Sequence, residues 1–428
     1  MILKLYQLLT SVAAPFIELY LHKRKKNGKE DAQRFEERFG NAAFPRPEGS
    51  LIWVHAASVG ESLSILPMIQ KLLDKLENTH LLLTTGTTTS AKMIESRLPD
   101  RAFHQYVPID TTPSVNRFLK HWKPDLAIWV ESELWPNLVV QTAKQCPLML
   151  ANGRMSDSSY RNWRKYRSLS QQVLSRFSLV LPQSKHDGER FENLGARNVK
   201  YLGNIKFDAP PLPSDSQKMG EIVNMIGQRP VWLAASTHEG EEKIVASVHK
   251  EIKENHPELL TIIAPRHPKR LDDIMETIKE SDLNIAVRSR NDEITEDTDI
   301  YIADTIGEMG ILYRLVPIVF IGGTLVEHGG QNPLEAARLN CVIIYGPYMD
   351  NFIEIRRELE ERNAAISITN ETSLKNAVEE VIFDHEKQED LMQKSSDLVK
   401  EKSGVVDAYI TEITPYLDRI AVKNNEAS

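Results

Sequence analysis

Residues 51–85 read LIWVHAASVGESLSILPMIQKLLDKLENTHLLLTT: a short apolar run, a turn of small residues, an amphipathic segment, and a second apolar run. Consecutive apolar side chains imply a strand buried on both faces, and a helix-length connection returns the chain to the same end of the sheet. The stretch therefore predicts parallel strands with a helix between them. The same alternation continues through DLAIWV (125–130), PLMLAN (147–152) and LVLPQS (179–184), each followed by an amphipathic segment. Ala209-Pro210-Pro211-Leu212-Pro213 interrupts it as a stiff, extended linker. The pattern then restarts in VWLAAS (231–236), LLTIIAP (259–265), IYIAD (300–304), IVFIGG (318–323) and VIIYG (342–346). The fold class expected is α/β, with two doubly wound Rossmann-like domains facing a cleft, over residues 27–208 and 209–428, the second carrying the closing helix near Val405–Leu417.

The bulk composition agrees with a folded protein of this size. The 428 residues are 41% hydrophobic and 26% charged, which excludes both a disordered chain and a polytopic membrane protein. A net charge of −8 argues against a general nucleic-acid binder. Two cysteines, Cys146 and Cys341, supply no disulfide framework, and the twelve histidines show no metal-ligand spacing, so neither a metal nor a cofactor is expected.

Residues 1–26 form a separate segment. An apolar stretch to Leu21 is followed at once by His22, Lys23, Arg24, Lys25 and Lys26. Lys4, Gln7, Ser11 and Glu18 fall with Ala14 on one helical stripe, the pattern of a helix lying at an interface or packed on the protein. Those polar interruptions count against spanning, and the missing cleavage pattern counts against a signal peptide. The basic run would lie on the cytoplasmic side and attract anionic lipid.

Residues suited to chemistry sit where strands end. HAASVGE (55–61) places Glu61 at a helix start, where it is either a capping carboxylate or a group aimed at ligand. Thr84–Ser90 offers hydroxyls and amides in the same way. Glu131 ends a buried strand, costly unless the carboxylate is paired or faces a cleft, and Lys206 in GNIKFD (203–208) is placed to enter the interdomain space. In the second half, Arg266 and His267 of PRHP suit an anionic phosphate. Gly307, Glu308 and Met309 open a helix, whose unpaired amides make an anion site. In GGTLVEHGGQNPLEAA (322–337), Asn332 can cap a helix with Pro333 in its first turn, followed by Leu334, while Glu335 can accept hydrogen bonds from a ribose. Residues 154–167 interleave Arg154, Arg161, Arg164 and Arg167 with Tyr160, Trp163 and Tyr166, which fits a phosphorylated lipid headgroup, a nucleic acid, or an ordinary amphipathic helix.

Taken together, ERFG (37–40), HAASVGE, ESELWPN (131–137), NGRMS (152–156), GNIKFD, PRHP and GGTLVEHGGQNPLEAA make the chain resemble the bacterial 3-deoxy-D-manno-octulosonic acid (Kdo) transferases of lipopolysaccharide biosynthesis, with Gln331 standing where many relatives carry His. The resemblance implies a GT-B glycosyltransferase that moves Kdo from CMP-Kdo to lipid IVA with inversion and without a metal, CMP-Kdo being the donor substrate. It implies work at the cytoplasmic face of the bacterial inner membrane, on an anionic membrane surface, with no nucleic-acid partner. By position it makes Glu61 the general base and Glu131 and Lys206 the groups that steady the transition state. It gives CMP to Arg266 and His267, Gly307, Glu308 and Met309, and Asn332, Pro333, Leu334 and Glu335. The competing readings are another GT-B enzyme, such as a heptosyltransferase or UDP-sugar epimerase, and a non-catalytic sugar-nucleotide-binding membrane protein. Release of CMP in the presence of a lipid acceptor discriminates among them.

Overall fold

The computed structural model describes residues 2–427. Six parallel strands form the first sheet: β1 (Ser50–His55), β2 (Thr79–Thr85), β3 (Ala102–Tyr106), β4 (Leu126–Val130), β5 (Leu148–Gly153) and β6 (Leu179–Pro182), in the order β3-β2-β1-β4-β5-β6. The seven-stranded second sheet contains β7 (Val231–Thr237), β8 (Leu260–Pro265), β9 (Ile285–Val287), β10 (Ile300–Ile302), β11 (Ile318–Ile321), β12 (Val342–Tyr345) and β13 (Ile366–Ser367), ordered β13-β12-β11-β7-β8-β10-β9. Three of these strands escape a reading of apolar runs. β3 carries His104 and Gln105 in its centre, β9 has three residues and β13 two, so an edge position supplies the pairing that their sequences do not advertise.

In each sheet the chain winds outward in one direction and then returns to the centre, which leaves a switch point between β1 and β4 in the first and between β7 and β11 in the second. Loops leaving the carboxyl ends of two such strands diverge and open a crevice, the usual ligand site of an open α/β sheet. Both sheets also carry an irregularity at this end. The register slips at Asn152 in β5 and at Ser236 in β7, and each residue takes a left-handed backbone, φ 54° and 57°. Helices cover the first sheet on both faces, with Ile52, Val54, Leu81 and Ile128 buried on one side and Trp53, Leu82, Trp129 and Leu150 on the other.

The structure corrects the expected assignment of the carboxyl terminus. The first unit runs to Ala209 and takes back the chain from Ser403, while the second is Pro210–Lys402. The final helix, Val405–Ala427, buries Tyr409, Ile413 and Leu417 in the core of the first unit, and the Tyr409 hydroxyl donates to the Gly203 carbonyl at 3.1 Å. Asp208 caps it across the chain, accepting from Gly404 N at 2.6 Å and Val406 N at 2.5 Å. At Gly203, φ 113°, a β-carbon would stand 2.8 Å from Val405, so the glycine is what lets this helix approach.

The amino-terminal helix spans Ile2–Lys26, and Met1 of the expected 1–26 segment lies outside the described residues. By length and composition alone it is long and apolar enough to cross a membrane, so the polar interruptions do not disqualify it. One face is tied to the first unit: the Tyr6 hydroxyl donates to Asp110 at 2.9 Å and the buried Asn137 amide donates to Thr10 at 3.0 Å. Leu5, Leu8, Leu9, Val12, Phe16 and Leu19 are exposed on the other.

Candidate active site

In the first unit, β1 ends at His55 and the chain turns through Ala56 and Ala57 into the helix Val59–Lys75, capped by Ser58. Glu61 stands in the first turn. Its carboxylate accepts from the Ala57 N–H at 2.8 Å and the Ser58 hydroxyl at 3.0 Å, while Ser58 Oγ accepts from the Glu61 N–H at 3.3 Å. The capping alternative left open by the sequence is therefore present as geometry. The same carboxyl group is nevertheless shifted: burial, and then the charge of Glu131, push its pKa up to about 7.

Glu131 follows the last residue of β4 and adopts a left-handed backbone, φ 60°, unusual for a residue with a side chain and of a kind that clusters at functional sites. Its carboxylate lies 2.7 Å from Lys206 Nζ. The turn that carries Lys206 is fixed by two asparagines. Asn152, at the register slip of β5, accepts from Ile205 N at 3.2 Å, and Asn204 accepts from Lys206 N at 3.0 Å. The structure thus brings Glu61, Glu131 and Lys206 to one end of one sheet, at its switch point. It adds Glu133, whose carboxylate burial pushes up but His55, with a ring nitrogen at 3.9 Å, and the hydrogen bond from Trp135 Nε1 together hold below the usual range. His55 was legible only as the end of a strand, and its partnership with Glu133 joins residues 78 positions apart.

The second unit gathers a different set at its own switch point. Arg266 and His267 leave the end of β8 exposed, and the Arg266 charge acts on Glu335 at the start of the short helix Leu334–Ala337. Burial raises the Glu335 pKa, and Asn332 both accepts from Leu334 N at 3.2 Å and reaches Glu335 at 3.4 Å. His238 packs against His328 with ring centroids 3.7 Å apart and lies 6.1 Å from His267. Burial, the two neighbouring histidines and the guanidinium charges of Arg266 and Arg270 lower its pKa to about 4, so the ring is neutral at neutral pH, and the Gln331 amide lies 2.9 Å from its Nε2.

Two loops of the second unit hold a carboxylate of that unit. The glycine loop after β11 does not offer its amides freely: Gly323 N, Thr324 N and Leu325 N donate to the fully buried carboxylate of Glu241 at 2.7, 3.0 and 3.0 Å, as does His238 N at 2.9 Å. Glu241 was not singled out from the sequence, and only its place at the start of a helix hinted at it. Gly307, Glu308 and Met309 do open a helix, Met309–Leu315, but Glu308 is itself the anion there. Arg288 at 3.1 Å, Lys218 at 3.3 Å and the Thr305 hydroxyl hold that carboxylate near pKa 2, and among the described residues it shares no hydrogen bond or ion pair with Arg266 or Glu335. Among the described residues there is also no group of three or more His, Cys, Asp or Glu placed to hold a metal ion.

Residues 33–209 match the family described as 3-deoxy-D-manno-octulosonic-acid transferase (kdotransferase). A 3-deoxy-D-manno-octulosonic acid transferase of Rickettsia bellii is 36% identical over 416 residues, covering 97% of this chain and 99% of that protein. The chain belongs to the Kdo transferase family. The corresponding transferase of Haemophilus influenzae is 32% identical over 422 residues, 97% of this chain and 98% of its own. Among solved structures, a UDP-GlcNAc 2-epimerase from Neisseria meningitidis bound to UDP-GlcNAc is 12% identical and covers 82% of this chain and 99% of that one with a TM-score of 0.57, a likeness of fold alone. The two Rossmann-like units are those of the GT-B class.

The motifs quoted from the sequence have a physical reading in the structure. In ERFG, Glu37 accepts from Tyr106 N at 2.8 Å and Arg38 donates to the Val107 carbonyl at 2.6 Å, which pins the end of the edge strand β3. In GNIKFD, the glycine, asparagine and aspartate shape the Lys206 turn and seat the returning helix, so one hexapeptide serves both the candidate site and the fold.

Proposed function

We propose that this chain is a Kdo transferase of lipopolysaccharide inner-core assembly, moving Kdo from CMP-Kdo to a hydroxyl of lipid IVA with inversion and without a metal ion. The observation that carries the reading is the carboxyl group of Glu61, tuned to about 7 beside a lysine-paired Glu131, in a chain that matches the family over nearly its whole length. A general base works best when its pKa lies near the operating pH. Glu61 takes the proton of the acceptor hydroxyl as that oxygen bonds to the anomeric carbon of Kdo. The bond from this carbon to the phosphate oxygen breaks, and CMP leaves with the electron pair. Glu131 and Lys206 steady the charge that develops, Lys206 by its ammonium and Glu131 by holding that ammonium in place. Arg266 and His267, Gly307–Met309 and Asn332–Glu335 hold CMP. Because the loop amides after β11 are taken by Glu241, the guanidinium of Arg266 is the principal compensation for the phosphate charge.

The amino-terminal helix supports placement at the cytoplasmic face of the bacterial inner membrane, since its exposed leucines and phenylalanine, with Lys23–Lys26 at its end, suit an anionic bilayer surface. The test is to incubate the purified protein with CMP-Kdo and lipid IVA, with and without excess EDTA, and to weigh the lipid by mass spectrometry. Addition of Kdo with stoichiometric release of CMP in both arms is expected. An unchanged lipid overturns the reading, and loss of product in EDTA alone overturns its metal-free part.

A further inference from the structure

Of the six tryptophans in the sequence, Trp53, Trp122, Trp129 and Trp232 are fully buried, whereas Trp135 is 47% exposed. That leaves one face of an indole open to a ligand. The ring is not loose. Its Nε1 donates to Glu133, its carbonyl accepts from Val139 N at 2.9 Å, and Pro136 begins the following helix, so backbone and side chain are both fixed at the end of β4. Glu133 in turn has the fully buried His55 ring behind it at 3.9 Å, and its charge is among those that act on Glu61. An aromatic face and a carboxylate therefore stand together at the end of the strand that also presents Glu131.

We infer that Trp135 and Glu133 form the subsite for the acceptor's sugar ring, the indole lying against the C–H face of a pyranose and Glu133 accepting a hydrogen bond from one of its hydroxyl or amino groups. The inference rests on the transferase reading above. An ionised carboxylate can only accept hydrogen bonds, and a sugar offers donors at its edge and an apolar surface on its face. A bilayer is the competing occupant, because Asn137, two residues on, bonds to Thr10 of the apolar amino-terminal helix. The hydrogen bond from the indole to Glu133, and the place of Glu133 two residues after Glu131, favour the sugar.

The probe is the fully deacylated, water-soluble bisphosphorylated glucosamine disaccharide of the acceptor, which has no lipid to offer. Binding is followed by tryptophan fluorescence and transfer by product formation from CMP-Kdo, using the full chain. Trp135→Ala raises the acceptor KM about tenfold, the size of effect that removing a stacked aromatic produces, with the donor KM and melting temperature unchanged. Trp135→Phe restores most of the loss, Trp135→Leu does not, and Glu133→Gln also raises the acceptor KM. Equal changes in both KM values, full activity of Trp135→Leu, or an unchanged acceptor KM with release of Trp135→Ala from phosphatidylethanolamine–phosphatidylglycerol vesicles each overturn the subsite. A wild-type protein that binds the disaccharide and transfers nothing overturns the transferase reading and leaves the subsite standing, whereas one that does not bind it overturns the subsite.

Discussion

Glu61 accepts two hydrogen bonds from its own turn and still has a pKa near 7, because burial and the neighbouring Glu131 outweigh the stabilisation that the Ala57 amide and Ser58 hydroxyl provide. This fixes the pH behaviour. As a base it acts ionised, so kcat/KM for transfer rises with pH and is half-maximal near about pH 7, where a carboxyl group with its ordinary pKa would already be ionised by pH 5.5. Stability moves the opposite way. A carboxyl whose folded pKa is raised contributes fully below its unfolded value, and that contribution is lost as pH climbs through the folded one, so the wild-type melting temperature falls relative to that of Glu61→Gln between pH 5 and 8. Glu61→Gln removes both dependences. It lowers turnover by roughly 100 to 10,000-fold and leaves CMP-Kdo binding intact. Turnover close to wild type, with a drop in melting temperature instead, would make Glu61 a cap and nothing more.

At the scale of elements, the glycine loop after β11 shows why a motif is read better with its partner in view. Gly322-Gly323-Thr324-Leu325 is a glycine-rich turn at a strand end, and its last three amides converge on an anion, which is the carboxylate of Glu241 on another element. Gly322 is required because a β-carbon there would lie 2.4 Å from the Ser236 carbonyl. Glu241→Gln turns an amide NH₂ toward groups that are themselves donors. Stability of the second unit should fall by roughly 2 to 4 kcal/mol and CMP affinity with it, since hydrogen bonds to a buried charge are among the strongest in the fold. Denaturant unfolding and calorimetric titration with CMP measure the two. An unchanged midpoint and affinity would mean that the loop holds its shape without the carboxylate.

Across the whole molecule, the returning helix makes the first unit depend on the far end of the chain. Tyr409, Ile413 and Leu417 are fully buried against it, and at roughly 1.5 to 3 kcal/mol for each large apolar side chain their loss rivals the stability of an ordinary domain. A chain stopped at Lys402 should therefore lose the cooperative unfolding transition of the first unit while Pro210–Lys402 keeps its own, which differential scanning calorimetry will resolve. Two intact transitions would refute that dependence. The sequence by itself determined the two parallel sheets, because strands buried on both faces must be written in consecutive apolar residues, and it placed Glu61, Glu131, Arg266 and Glu335 at strand or helix ends, because the period changes there, and Lys206 just before the linker. Only the tertiary structure decided which sheet the last helix covers, since an amphipathic stripe states that a face is buried and not against what. Only the tertiary structure, likewise, paired Glu131 with Lys206, His55 with Glu133, and Glu241 with the glycine loop. Those are contacts between residues 75 to 84 positions apart, and a charge carries no record in the sequence of the partner that neutralises it.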